Sequence, residues 1–187
     1  AGARAEEGAS LEEVLATART ALDNTRSLGV GLSPCTIVAN GHPNFMIEAG
    51  TMEVGIGHHG EPGVEISRLG SSREIARMMC DHILPDLPFT AGDEVTVLVS
   101  GLGATPVIEL YVLFADIADI MRERGITIRH NFVGNLFTSL DMKGVTLTVM
   151  KLDAELDRLR SHPAHAIGLT RVGNAPESPV VAAPAAA

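Results

Sequence analysis

The sequence predicts an α/β fold in which helices pack on a mixed sheet. Helical and strand-like patterns are interspersed along the chain, two helix starts carry capping-box residues, and glycine-rich loops follow strand-like runs. The 187 residues suffice for one domain with its own core. Aromatic residues make up only 3% of the chain and Trp is absent, so this core must consist of aliphatic side chains and Met.

The first helix is predicted to begin after Ser10, because Ser10 and Glu13 have the spacing of a capping box. Apolar residues follow at helical spacing, and we expect the helix to end near Ser27. Turn-forming residues at 29–34 predict a loop. Residues 52–57 alternate between apolar and polar or small side chains, which is typical of a half-buried strand.

A second helix is predicted to begin after Ser71, which forms another capping box with Glu74. Apolar runs at 95–99, 126–133 and 145–152 predict three further strands. Because helices are mixed with strands along the chain, a mixed sheet with helices packed on it is expected.

The loop 101–106 separates the first of these three strands from a long helix. Thr105 is predicted to cap that helix, because the proline after it suits the first helical position. Ile108 and Tyr111 are expected among the inward-facing positions of the helix.

A short final helix around Leu156 completes the predicted domain, which spans residues 1–173. Residues 174–187 are mostly Ala, Pro, Ser and Val and offer little surface to bury, so we predict a linker or tail. A spacer of this kind favours a parent protein in which the domain is fused to a second unit.

The composition argues against several partners and compartments. A net charge of −9 disfavours nucleic acid and anionic membranes, since both attract basic surfaces. No apolar run approaches the roughly 20 residues of a membrane-spanning helix. Cys35 and Cys80 are expected to be buried free thiols, which suits a cytoplasmic protein.

The segment 58–63 is the most unusual in the chain. His59 stands at the end of a predicted strand and precedes a glycine, so a ligand could approach its imidazole, which is nucleophilic near neutral pH. Two other interpretations stay open. The histidines could simply be hydrogen-bonded loop residues, or His58, His59, Glu61 and His42 could bind a metal ion in a hydrolase. Adjacent histidines in an extended segment point to opposite sides, which disfavours a shared metal.

Two further segments carry possible chemistry. The helix start after loop 101–106 could hold an anion, although the loop lacks the dinucleotide-binding fingerprint and could be a structural turn. In the segment 138–142, Ser139 and Asp141 could bind a polyol or could close a turn. No Walker A lysine motif is present, so the sequence provides no local phosphate loop for ATP.

Taken in order, the segments 55–63, 101–106 and 138–142 resemble three motifs of the dihydroxyacetone kinases. The opening residues 24–35 also fit, and the resemblance covers about residues 1–170. It corresponds to the second half of the substrate-binding unit of that family, the K unit, which folds as two α/β lobes.

The resemblance implies a kinase of dihydroxyacetone or a related short-chain ketose, with His59 as the catalytic residue. In the family, the matching histidine forms a hemiaminal with the substrate carbonyl through its remote ring nitrogen. A first lobe, which has no counterpart here, supplies an acid–base histidine, an aspartate and a glycine-rich loop. A nucleotide-binding unit, the L unit, provides the phosphoryl donor, as ATP with Mg²⁺ or through the phosphotransferase system. No cofactor or metal is therefore expected on this chain itself, and the K unit is expected to form a homodimer.

The sequence departs from the family pattern at His58, where an aliphatic residue is usual, and at 100–101. These differences leave open whether the substrate is dihydroxyacetone or a four-carbon ketose such as erythrulose. The resemblance also allows a second function, because K-like relatives can act as non-catalytic ketose sensors that co-regulate transcription.

Overall fold

A computed structural model of the chain describes residues 1–43, 45–58 and 61–173. His59 and the predicted linker or tail at 174–187 lie outside the described residues. The chain forms two compact units. One is Arg19–Asp153, and the other combines residues 1–18 with the described residues 154–173.

The described residues alternate between helices and strands, which confirms the α/β class. The helices are α1 (Gly2–Glu6), α2 (Leu11–Asp23), α3 (Ser72–Asp86), α4 (Val107–Glu123) and α5 (Ala154–Arg160). The strands are β1 (Thr25–Gly31), β2 (Thr51–Val54), β3 (Glu65–Arg68), β4 (Glu94–Gly101), β5 (Thr127–Gly134), β6 (Gly144–Lys151), β7 (Ala164–Ala166) and β8 (Leu169–Arg171).

Six strands of the larger unit form one mixed sheet in the order β3-β2-β1-β6-β4-β5. Only β4 and β5 pair in parallel, and the other neighbours are antiparallel. A parallel pair requires a crossover connection, and α4 provides it between β4 and β5. Strand β6 lies in the interior of the sheet and pairs with β1 on one side and β4 on the other.

Helices α3 and α4 pack against each other and against the sheet, and they enclose an aliphatic core. Val95, Val97 and Val99 of β4 are fully buried in this core, as alternate positions on one face of a strand should be. Both cysteines are free and buried, which confirms the predicted thiols. Burial raises the pKa of the Cys80 thiol to about 11, so this residue is a structural component of the core.

Both predicted capping boxes are present. The Ser10 amide donates to the Glu13 carboxylate at 2.8 Å, and the Glu13 amide donates to the Ser10 hydroxyl at 3.3 Å. Ser71 and Glu74 make the same reciprocal pair at the start of α3. These bonds satisfy backbone donors that the first turn of a helix leaves without partners.

The end of α2 was predicted too late. The helix ends at Asp23, where the side chains of Asn24 and Thr25 donate to the carbonyls of Thr20 and Ala21. The chain then forms β1, which pairs with β6 over seven residues, in place of the predicted continuation of the helix and loop. The glycines and the polar first residues of β1 do not form a strand pattern in the sequence. The strand is recognised only from its pairing with β6.

The inward face of α4 was also predicted wrongly. Ile108 is 72% exposed and Tyr111 is 52% exposed, whereas Leu110, Leu113 and Ile117 are buried. The first half of α4 is apolar on most sides, so periodicity could not choose the buried face.

Within the described residues, no helix is both long and apolar enough to cross a bilayer.

Ion pairs join the described segments of the smaller unit. Arg158 bonds to the Glu7 carboxylate, and this interaction lowers the pKa of Glu7 below its ordinary value. Leu156 and Leu159 of α5 are buried. Strands β7 and β8 form a small antiparallel pair that the sequence did not indicate.

Gly144 begins the central strand with φ of +147°, and a Cβ there would collide with the Val30 carbonyl. Gly92 has a φ of +95° with open space around it. We expect Gly144→Ala to lower the free energy of unfolding by about 3 kcal/mol, and Gly92→Ala by only about 1 kcal/mol, because the second carries backbone strain without a collision. Urea unfolding of the two variants measures the difference, and equal losses would contradict this account.

Candidate functional site

Three segments that lie far apart in the sequence meet at one end of the sheet. The Ser139 hydroxyl donates to the backbone carbonyl of His58 at 2.8 Å. The Ser139 amide donates to the carbonyl of Leu102 at 2.6 Å. Ser139 therefore joins the histidine-containing segment 55–63 to the loop 101–106.

The loop 101–106 is fixed to the start of β6 by backbone bonds. The amides of Leu102 and Ala104 donate to the carbonyls of Gly144 and Met142, at 3.1 and 3.0 Å. The Thr105 hydroxyl donates to the Gly144 carbonyl at 2.7 Å and accepts from the Gly144 amide at 2.8 Å. Thr105 thus holds the loop on the sheet and does not cap α4 as predicted. The amides of Leu102 and Ala104 thus take part in a structural turn, and the anion site suggested for the helix start stays a prediction.

The segment before His59 lies directly on β1. The Gly55 amide donates to the Gly29 carbonyl at 2.7 Å, and a Cβ on Gly29 would stand 2.5 Å from the Ile56 carbonyl oxygen. The Gly57 amide donates to the Glu61 carbonyl at 3.1 Å. This bond joins described residues on the two sides of the interval 58–60.

His59 and Gly60 lie inside the interval that this bond closes, and both are outside the described residues. The catalytic role predicted for His59 therefore stays a prediction. The residues on either side are described: the His58 carbonyl is bonded to Ser139, and the Glu61 carboxylate lies against the Cα of Gly57.

The His58 ring contacts an aromatic side chain. Its centroid lies 4.2 Å from that of the Phe137 ring, and the two planes are inclined by 45°. The backbone of this aromatic segment is fixed by Ser100, whose fully buried hydroxyl accepts from the amides of Leu136 and Phe137 at 3.2 and 2.9 Å. The departure from the family pattern at His58 thus comes with a specific packing partner.

A small apolar cluster, separate from the main core, underlies the meeting point. Its buried members come from four segments and are Cys35, Ile56, Leu102 and Met142. Phe45, partly buried, packs against them. All three motif segments pack on this cluster, which fixes their positions relative to one another.

The opening segment of the resemblance reaches the same place. The Lys143 amide donates to the Ser33 hydroxyl at 2.8 Å, and the Thr36 amide donates to the Asp141 carboxylate at 2.7 Å. This amide lowers the pKa of Asp141 below its ordinary value. Asp141, like Ser139, holds a distant backbone segment, which is neither of the two roles that the sequence left open for them.

The described residues contain no group of three or more side chains arranged to hold a metal ion. His42 is exposed, and its ring Nδ1 lies 3.1 Å from the Pro43 carbonyl. The proposed metal set also includes His59, which is not described, so the finding concerns only the remaining residues.

Sequence reasoning missed Ser100 and Thr105 as residues that build this site. Each carries a small hydroxyl side chain at the edge of the glycine loop, and each is buried. A buried hydroxyl needs a hydrogen-bond partner. This need could have identified both residues in the sequence as ones that bond to neighbouring segments. The partners themselves depend on the pairing of β4 with β6.

The fold and site define an α/β domain in which three loops meet at one end of a mixed sheet. The model of the Dak1 domain matches residues 1–168, and the chain belongs to this family. The family predicted from the three motifs is therefore confirmed.

Similar proteins include both kinase subunits and whole kinases. The chain is 42% identical, over 154 residues, to the dihydroxyacetone-binding subunit of PTS-dependent dihydroxyacetone kinase 1 from Listeria innocua, covering 82% of this chain and 47% of that protein. It is 42% identical, over 164 residues, to D-erythrulose kinase of Mycolicibacterium smegmatis, covering 88% of this chain and 28% of that protein.

A solved structure with a regulatory description has the same fold. The dihydroxyacetone kinase operon co-activator Dha-DhaQ superposes with a TM-score of 0.81 at 29% identity, covering 87% of this chain and 50% of that one. The chain thus spans about half the length of the subunit and the co-activator that it matches.

The lowered pKa of Asp141 predicts a pH dependence of stability. A carboxylate whose pKa is depressed in the folded state stabilises that state above its unfolded-state pKa, near about 3.9, and loses this effect as the pH falls through the folded pKa. We expect Asp141→Asn to be less stable than the unmodified chain at about pH 6 and the difference to shrink below about pH 4. Urea unfolding across this range measures it, and a difference that does not change with pH would contradict the prediction.

Proposed function

We propose that this chain is the part of a short-chain ketose kinase that captures the substrate carbonyl on His59. The observation that carries the proposal is the meeting, at one end of the sheet, of the three motif segments, one of which has His59 in its sequence. Family membership supports it, because the similar proteins include a dihydroxyacetone-binding kinase subunit and an erythrulose kinase.

The chemistry is a reversible addition. The imidazole nitrogen of His59 forms a bond to the carbonyl carbon of the ketose, and the π electron pair of the carbonyl moves to its oxygen. That oxygen gains a proton and the imidazole loses its N–H proton, so the hemiaminal forms without an oxidant or a second reactant. A polyol such as glycerol has no carbonyl and cannot be captured in this way.

The captured ketose then receives a phosphoryl group from a separate unit. Positioning and electrostatic stabilisation dominate phosphoryl transfer, so the donor must approach the end of the sheet where the three segments meet. The donor unit holds ATP or ADP with Mg²⁺, or is recharged by the phosphotransferase system. The Ala- and Pro-rich residues 174–187 favour the fused, ATP-dependent arrangement.

The complete substrate-binding unit includes a first lobe with an acid–base pair, and we propose that it works as a homodimer in the cytoplasm. Similar proteins act on different ketoses, since one is described for dihydroxyacetone and another for D-erythrulose. The His58 ring beside Phe137 changes the surroundings of the predicted nucleophile, so the substrate is either dihydroxyacetone or a four-carbon ketose.

A second candidate function is that of a ketose sensor without catalysis. The structural similarity to an operon co-activator favours it. Such a protein would bind the ketose at the same histidine but would transfer no phosphoryl group. Phosphorylation of ketose by the complete protein with its donor unit separates the two functions, because only the kinase releases a phosphorylated product.

The role of His59 can be tested with dihydroxyacetone labelled at its carbonyl carbon. In the complete protein, we expect carbon-13 NMR to show the conversion of the labelled ketone carbon into a tetrahedral carbon. His59→Ala should abolish this signal because it removes the nucleophile. His82→Ala, which changes an exposed histidine on α3, should retain it. An adduct that survives His59→Ala would refute the assignment.

The purified 187-residue chain should not phosphorylate ketose when it is mixed with ATP and Mg²⁺. It has no phosphate loop in its sequence and no first-lobe base, and both are needed to position the donor and activate the acceptor. A coupled assay for ADP release measures the activity. Ketose-dependent ADP release by this chain, without any added unit, would contradict the proposed division of labour.

A further inference from the structure

We propose that the first half of α4 is a docking surface for the half of the substrate-binding unit that this chain does not include. The inference rests on the function proposed above, because that function needs acid–base groups from the other half. Ile108, Tyr111, Val112 and Ala115 are all exposed, and their spacing places them on one face of the helix. Ile108 is 72% exposed, and Tyr111 and Val112 are each 52% exposed. We call these four residues the apolar stripe.

The apolar stripe is a second apolar face on a helix that already buries one. The buried face, with Leu110, Leu113 and Ile117, packs in the main core. A surface helix normally carries polar residues opposite its buried face, and the second half of α4 does so with Asp119 and Glu123, which form ion pairs. The first half departs from this rule, and an exposed apolar face of this kind marks an interaction site.

A cavity of about 360 Å³ opens beside the apolar stripe. It lies between α3, α4 and the adjoining ends of β1 and β6, and most of its walls are aliphatic. Leu69, Val112 and Leu113 are among the lining residues, so Val112 belongs to both the stripe and the cavity. Protein interfaces place large apolar anchor side chains in pockets of this kind, and such anchors carry much of the binding energy. The surface therefore suits a folded protein segment that presents an apolar side chain to the cavity.

The position of this surface indicates which protein segment covers it. Thr105 and Gly144, which line the cavity, are also bonded to each other at the end of the sheet where the three motif segments meet. A partner on the apolar stripe is therefore held beside the candidate functional site. Because the chain spans about half the length of the subunit and the co-activator that it matches, each of these has a second half of similar size. A second half that completes the site from within the same protein has to contact this one close to that end of the sheet.

Charge disfavours a second copy of this chain as the partner. Glu109 is exposed and lines the cavity, and it forms no ion pair with the other described residues. In a two-fold symmetric pair the same surface faces itself, so the two Glu109 carboxylates would approach each other across the interface. A different partner can place a cation there, because its sequence is independent of this surface. We therefore expect a Lys or Arg of the second half to lie near Glu109.

The test uses photochemical cross-linking in the complete protein, and its readout does not require ketose. A p-azidophenylalanine in place of Tyr111 keeps an aromatic ring in the apolar stripe and reacts with whatever covers it. We expect a cross-link within one chain, to a peptide from the second half of the substrate-binding unit, identified by mass spectrometry. The same photoreactive residue in place of Leu22, which is 71% exposed on α2, should not react with that peptide.

A matched pair of substitutions tests whether the apolar stripe itself holds the partner. Ile108 and Leu22 are exposed to nearly the same degree, 72% and 71%, and each lies on a helix. Ile108→Glu should lower the yield of the Tyr111 cross-link about fivefold, because the partner would have to remove water from the new carboxylate. Leu22→Glu should leave the yield unchanged. If Ile108→Glu does not fold, Ile108→Ser takes its place, and an unchanged yield there overturns the inference.

The remaining outcomes overturn the inference in distinguishable ways. A cross-link between two copies would identify self-association, and a cross-link to the donor unit would identify that unit as the partner. The absence of any cross-link from Tyr111, or a yield that Ile108→Glu does not change, would show that the stripe does not hold the second half. Failure to find the ketose adduct at His59, by contrast, would refute the proposed function and would not alter the cross-linking result.

Discussion

The close approach of three backbones at Gly144 is the constraint on which the rest of the structure depends. The carbonyl of Gly144 accepts from the Leu102 amide and the Thr105 hydroxyl, while its Cα faces the Val30 carbonyl. Because Gly144 also begins the central strand β6, the packing that orders the sheet and the bonds that order the glycine loop converge on one residue. Loops that are attached at this point are held as rigidly as the interior of the sheet.

Around this point, the local structure depends on backbone hydrogen bonds and buried hydroxyls more than on charged side chains. The loop amides, the buried hydroxyls of Ser100 and Thr105, and the apolar cluster beneath them are all used to fix segment against segment. This leaves few polar groups committed to a ligand from within the described residues. In the proposed function, His59 supplies the nucleophile and the acid–base groups come from outside this chain.

Much of this could be read from the sequence, and the failures have physical causes. The strand β4, the capping boxes and the three motif segments were predicted because each has a strong local pattern. Strand β1 was missed because its glycines fit a loop equally well, and β3 because an exposed edge strand has no alternating pattern. The exposed face of α4 was misassigned because both faces are apolar. The bond between Ser139 and His58 depends on the register of distant strands, which no local pattern encodes.

The bond from Ser139 to His58 also joins residues that are 81 positions apart in the chain. Closing so long a loop has an entropic cost that only the completed sheet offsets, and contacts of such separation tend to form late in folding. A nascent chain that has reached the end of β5 still lacks Ser139 and the central strand. The end of the sheet where the three segments meet is therefore among the last parts of this unit to become ordered, because it needs β6 as well as the strands that precede it.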